Sequence, residues 1–251
     1  MRRVVALLAV VVATCAGCAA DDEIPVAEPG PSTTTTTAVP TTTTVPPPTT
    51  TTTTTTLPPP VPLAFLHEGS HGDAATWDLE ATLAALGYWP GAVDAVFDRD
   101  TEHAVIALQK VAGIEPTGRI DTATEWALRG GLLPSLQVTT GHVIEVDLAL
   151  QVVTVATDGH VDAVFDTSTG RHAGTTPIGS FTIERQIDGF RRSRLGLLYR
   201  PKYFYRGVAF HGYPSVPTYP ASHGCVRLTY AAMDHLWASG LAPIGTQVVV
   251  R

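Results

Sequence analysis

Apolar positions recur at helical spacing in the middle of the chain and alternate with polar ones towards its end. Between Trp77 and Leu133 the pattern predicts three short helices. The first carries Leu79, Leu83 and Leu86, with Thr76 as its cap and Gly87 as its stop; the second carries Val105, Leu108 and Val111 between Asp98 or Asp100 and Gly113. The third runs from Asp121 through Trp126 and Leu128 to Gly130. Beyond it, His142 to Asp147 and Gln151 to Thr157 are β-branched runs, and Asp158-Gly159 is a hairpin signal leading into Val161, Ala163 and Phe165. Phe181 to Glu184, Lys202 to Tyr205, Val208 to His211 and Gln247 to Val250 read as further strands, and Tyr230 to Trp237 as a helix stopped by Gly240. Strands this closely spaced, without long helices between them, disfavour a doubly wound parallel sheet.

The first 64 residues follow neither pattern. Arg2 and Arg3 precede an apolar run from Val4 to Cys15, too short for a bilayer core of ~30 Å and suited to the h-region of a signal peptide. Cys15-Ala16-Gly17-Cys18 resembles a bacterial lipobox, with Cys15 where leucine is usual, and implies lipidation of Cys18. Ordinary cleavage near Ala20, releasing a soluble protein, is the alternative. Residues 33–56 include seventeen Thr, and prolines punctuate the stretch from Pro25 to Pro62. Such a segment buries too little apolar surface to offset its ordering entropy. At ~3.1 Å per residue, a fully extended spacer reaches on the order of 100 Å from an anchor. The chain therefore divides into a signal peptide with lipobox (1–20), a Thr/Pro-rich disordered linker (21–64), a helical domain (73–133) and a mainly β domain (138–251).

Charge changes the picture little. The 251 residues carry a net charge of -7, concentrated in the linker and helical domain; the β domain is slightly positive. No block is basic enough for a nucleic-acid partner. Cysteine changes it more. With Cys15 and Cys18 in the leader, Cys225 is left without a disulfide partner in an exported protein, and its neighbours suit chemistry. Ser222-His223-Gly224-Cys225-Val226-Arg227 sets an imidazole and a guanidinium two residues to either side of the thiol. An imidazole converts a thiol of pKa ~8.5 into an efficient nucleophile at neutral pH. His211-Gly212, fourteen residues upstream at a strand end, supplies a second base, and three prolines stiffen the intervening loop. Cys225, His211 and His223 lack the fourth ligand and paired-cysteine spacing of a metal site.

Two resemblances follow. Leu86-Gly87-Tyr88-Trp89-Pro90-Gly91, Val93 to Phe97, Thr101, Ala104, Val105, Gln109 and Thr117-Gly118 with Asp121 and Thr124 resemble the peptidoglycan-binding domain of cell-wall enzymes, departing at Ala95 and Asp98, where glycine is common. His211-Gly212 with Ser222-His223-Gly224-Cys225-x-Arg227-Leu228 resembles the L,D-transpeptidase (YkuD) catalytic domain. Val146-Asp147-Leu148 with Gln151, Ser168-Thr169-Gly170, Thr176-Pro177-x-Gly179-x-Phe181 and Pro243-x-Gly245-Thr246-x-Val248 support it.

The second resemblance implies roles: Cys225 as nucleophile, His211 as general base, His223 as a further catalytic candidate at the mouth, amides around Gly224 and Cys225 as oxyanion donors, Ser222 and Gly212 beside them at the substrate-binding or oxyanion site with the Ser222 hydroxyl as a loop hydrogen bond, and Arg227 fixing the loop or a substrate carboxylate. Tyr203 and Tyr205 are cleft candidates. It also implies acyl transfer from a peptidoglycan tetrapeptide stem, releasing D-Ala, to a diamino-acid amine, giving a 3-3 cross-link without a cofactor. Water as acceptor makes a carboxypeptidase instead. A wall-binding lipoprotein without catalysis is the alternative outside enzymes. The partners implied are stem peptides, glycan and, through Cys18, the membrane's outer face.

Overall fold

The computed structural model describes Leu63 and residues 66–251, all within one compact unit. The expected signal peptide and lipobox, and nearly all of the expected linker, lie outside the described residues. An all-α domain of three helices precedes a mainly β domain with one helix.

In the first domain, α1 spans Ala74–Ala85, α2 Arg99–Ala112 and α3 Thr122–Arg129. The cap expected at Thr76 is instead Asp73, whose Oδ1 accepts the Thr76 N–H at 2.6 Å; Thr76 lies inside the first turn with its hydroxyl buried and unpartnered. Asp98 and Asp121 cap the other two helices. Trp126, expected in the helical core, is 79% exposed, because it sits on the face of α3 opposite Thr124, Ala127 and Leu128. The residues that carry the first resemblance largely hold this domain together. Gln109 Oε1 accepts Gly118 N–H, while its Nε2 donates to Arg119 O and Thr124 Oγ1. Buried Glu80 accepts the Asp94 and Ala95 amides, fixing a turn in which Ala95 has φ 63°, the left-handed region that favours glycine.

The β domain is a sandwich. Its first sheet contains β1 (His142–Asp147), β2 (Val152–Thr157), β3 (His160–Asp166), β4 (Gly179–Thr182) and β10 (Gln247–Val250), in the order β3-β2-β1-β10-β4. Its second sheet orders β5 (Arg185–Gln186), β7 (Gly196–Tyr205), β8 (Val208–Gly212) and β9 (Val226–Leu228), with β6 (Phe190–Ser193) paired to β7. Two parallel pairs, β1 with β10 and β8 with β9, interrupt otherwise antiparallel pairing. Ile144, Val153, Phe165, Phe204, Phe210, Val226 and Met233 share the core, which α4 (Tyr230–Ala238) closes from its Thr229 cap.

Alternation along β3 splits its side chains between two cores. Ala163 and Phe165 face the sandwich, while Val164 joins Val152 in the core of the helical domain. The chain between α1 and α2 also covers the free edge of β3: Val164 N–H donates to Gly87 O and Trp89 N–H to Val164 O. Trp89 then stacks on His235 of α4, with ring centroids 5.1 Å apart. Beside it, Lys110 ion-pairs with Asp166 and donates to Gln151 O and Thr167 O, and His103 Nδ1 lies 2.7 Å from the second Asp166 oxygen.

Candidate active site

β8 and β9 run parallel with His211 opposite Arg227 and Phe210 opposite Val226. Period-two alternation sends Phe210, Val226 and Leu228 into the core and leaves Ala209, His211, Cys225 and Arg227 on the other face. That face floors a cleft of about 280 Å³, whose walls include Tyr203, Tyr213, Ser222 and His223. The β6–β7 hairpin adds Arg191, Arg194 and Leu195 to one side. Tyr205, expected as a cleft residue with Tyr203, packs on Phe181 instead.

His211 is buried, and its Nδ1 lies 2.9 Å from the Gly212 carbonyl. A carbonyl only accepts, so Nδ1 carries the proton and Nε2 keeps a lone pair. Burial, with a smaller push from the Arg227 guanidinium, holds the imidazole pKa down at about 4, so the ring is neutral at neutral pH. Tyr213 stands edge-on to it, and Arg227 lies over the Tyr213 ring at 4.1 Å. Tyr213 escaped the sequence reading; extending the alternation 209, 211 by one step finds it.

Burial raises the pKa of the Cys225 thiol, opposed more weakly by the Ala209 amide and by Arg227. Its hydrogen-bond partner is Gly207 O, at 3.8 Å. The resting pair is therefore thiol and neutral imidazole.

Two segments hold the catalytic loop from behind. Ser168 and Arg227 exchange backbone hydrogen bonds, Thr169 O accepts the Ala221 and Ser222 amides, and Thr176 Oγ1 donates to Gly224 O. The Ser222 hydroxyl donates to Cys225 O at 2.6 Å and accepts Gly224 N–H at 3.0 Å. Of the amides expected as oxyanion donors around Gly224 and Cys225, one is already engaged. Gly224 N–H is taken by Ser222, whereas Cys225 N–H has no hydrogen-bond partner among the described residues. Gly224 has φ 134°, and a Cβ there would meet Thr175 O at 2.5 Å. Gly212 lies outside the cleft wall, between Tyr199 and Tyr230, where a Cβ would come within 2.8 Å of each ring. His223 is exposed and its Nε2 accepts an N–H from Arg171 at 2.9 Å.

A thiol and a neutral imidazole facing one cleft, on adjacent strands of a β-sandwich, define a hydrolase or acyltransferase class of site. Comparison narrows it. Residues 141–250 match the family described as L,D-transpeptidase catalytic domain, and residues 74–128 match a putative peptidoglycan binding domain. A solved L,D-transpeptidase from Xylanimonas cellulosilytica is 39% identical, with 77% of this chain and 100% of that chain covered and a TM-score of 0.71. An L,D-transpeptidase from Stackebrandtia nassauensis is 24% identical, covering 75% and 96% with a TM-score of 0.45; one from Mycobacterium tuberculosis is 23% identical, covering 49% and 62% with a TM-score of 0.39. No curated protein matches the sequence. The chain belongs to the L,D-transpeptidase family, with an N-terminal peptidoglycan-binding domain. It is a transpeptidase enzyme, and peptidoglycan is its partner.

Proposed function

We propose that Cys225 transfers an acyl group from a peptidoglycan tetrapeptide stem to the side-chain amine of a diamino acid on a neighbouring stem, forming a 3-3 cross-link. The observation that carries this reading is the His211 tautomer: Nδ1–H is spent on Gly212 O, so the lone pair of Nε2 belongs to the face that also bears the Cys225 thiol.

The steps balance as follows. As the sulfur attacks the carbonyl before D-Ala, its proton passes to His211 Nε2, and the carbonyl oxygen takes the electron pair. Cys225 N–H is placed to stabilise that oxygen; one such donor contributes about 2.7–4 kcal/mol in comparable sites. Collapse breaks the C–N bond, His211 returns the proton to the departing D-Ala amine, and a thioester remains. The acceptor amine then attacks and gives its proton to His211, and the C–S bond breaks as the sulfur takes that proton, which restores the thiol and the neutral imidazole. Ser222 and Gly224 shape the loop, Gly212 sets the base, and Arg227 receives the terminal carboxylate of the stem. His223, tied to Arg171 at the rim, contacts substrate rather than moving the proton.

The leader implies export, and lipidation of Cys18 would hold the enzyme at the outer face of the membrane with the linker spanning towards the wall. Domain limits of 73–133 and 138–251 fit this division of labour.

The test is incubation of the purified ectodomain with disaccharide-tetrapeptide, products being identified by mass spectrometry. Cross-linked dimer and free D-Ala are expected from the wild type and neither from Cys225→Ala. Product persisting in that variant overturns the nucleophile; tripeptide without dimer makes the enzyme a carboxypeptidase. A carbapenem adduct on Cys225 is a faster check. Cys18→Ala should release the protein from the membrane fraction.

A further inference from the structure

The charged side chains of the cleft are all cationic. Arg185, Arg191, Arg194 and Arg227 line it, and its wall contains no aspartate or glutamate. Among the described residues none of these four forms an ion pair, whereas Arg200 and Arg251 each meet two carboxylates. Arg185 rests on the Tyr203 ring at 3.7 Å, which leaves the edge of its guanidinium free. The Arg227 Nε is buried with no hydrogen-bond partner. Arg191 and Arg194 stand on the β6–β7 hairpin, exposed beside Leu195.

Four like charges around about 280 Å³ repel one another, and an anion entering the cleft relieves that repulsion. The stem's terminal carboxylate satisfies one guanidinium, Arg227. The remaining three favour further anions on the same molecule. A planar guanidinium recognises a carboxylate through two parallel hydrogen bonds and has no comparable fit to a neutral carboxamide.

Resting on the transpeptidase reading above, we propose that Arg185, Arg191 and Arg194 select donor stems whose second and third residues carry free carboxylates, and discriminate against stems in which those groups are amidated. The hairpin arginines act as specificity determinants and take no part in bond breaking. Because they line the side of the cleft, their field also steers the anionic stem towards Cys225, an effect that salt screens.

The experiment uses two disaccharide-tetrapeptides that differ only in having free carboxyl groups or carboxamides at the second and third stem residues. D-Ala release is followed at about 0.05 M and 0.5 M salt, where the Debye length falls from beyond ~10 Å to a few ångströms. The expected result is at least a tenfold higher kcat/KM for the free-carboxylate donor at low salt, carried mainly by KM. The ratio should shrink at high salt and fall towards one in Arg191→Gln/Arg194→Gln, with far-ultraviolet circular dichroism and thermal unfolding checking that the variant is folded. Equal kcat/KM for the two donors, or a preference that survives in the folded double variant, overturns the selection. If neither donor yields D-Ala, it is the transpeptidase reading that fails, and with it the inference.

Discussion

Lys110 of α2 and Asp166 of β3 form an ion pair across the boundary between the two domains, both side chains being almost wholly buried. The same ammonium donates to Thr167 O, one residue before the segment that supports the catalytic loop. Lys110→Met would leave the carboxylate buried with only His103 beside it. Removing one member of a buried pair costs roughly 3–5 kcal/mol, whereas replacing both by apolar groups is often close to neutral. Urea unfolding of the full ectodomain should show that loss for Lys110→Met, and substantial recovery in Lys110→Met/Asp166→Leu. Equal stability of the single variant and the wild type would contradict the assignment.

The thiol and imidazole are both neutral at rest, and reactivity with pH should show it. The His211 pKa of about 4 means that the ring is unprotonated from pH 5 upwards, and burial places the Cys225 thiol above the ordinary range. The thiolate fraction, and with it the iodoacetamide alkylation rate of the free enzyme, should therefore climb about tenfold per pH unit between pH 6 and 8. His211→Gln should alkylate within a few-fold of the wild type while losing D-Ala release. A rate plateau between pH 5 and 7 would instead reveal a resting thiolate–imidazolium pair.

Gly224→Ala tests the close approach behind the nucleophile. The new methyl would overlap Thr175 O, a backbone atom, and the φ of 134° disfavours any L side chain. Release of D-Ala should fall at least a hundredfold as the loop shifts, with the sandwich still folded by circular dichroism.

Buried Lys202 gives a stability signature. Its Nζ donates to Gln186 Oε1 and Ala242 O and lies over Trp237, without a carboxylate partner. Burial pulls its pKa down to about 8, against ~10.4 in an unfolded chain. Between these values the unfolded state binds the proton and the folded state does not, so stability rises with pH. Below pH 8 both states are protonated and the full cost persists, on the order of 3 kcal/mol at 1.36 kcal/mol per unit. Guanidinium unfolding at pH 8, 9 and 10 should show this rise in the wild type and a flatter curve in Lys202→Met.

Long β-branched runs were legible without any structure: β1 and β10 occupy the expected residues, β1 being buried on both faces and β10 alternating between buried and more open positions. β5 and β6 were not, being two and four residues long and rich in arginine, with no apolar alternation to mark them. β9 hid inside the Cys225 motif, whose residues carry both a strand and a site. Two cap-forming side chains three residues apart, Asp73 and Thr76, offer the same local signal, and only the first hydrogen bond of the helix distinguishes them. Cys225 and His211 could be named from a local motif, since fourteen residues suffice to return the chain beside its own strand. The hairpin arginines could not, because a hairpin fold brings Arg191 and Arg194 to a floor made much later in the chain. The opposing commitment of the Gly224 amide was equally invisible, since it depends on the direction of one hydroxyl.

The strip from Gly87 to Trp89 along the edge of β3 removes slack between the two domains. A strand of wall bound by the helices would thereby be held at one set distance and angle from Cys225. The seam would then set the enzyme's aim, so that loosening it, with helices and cleft unchanged, should alter which stem along a bound strand meets Cys225.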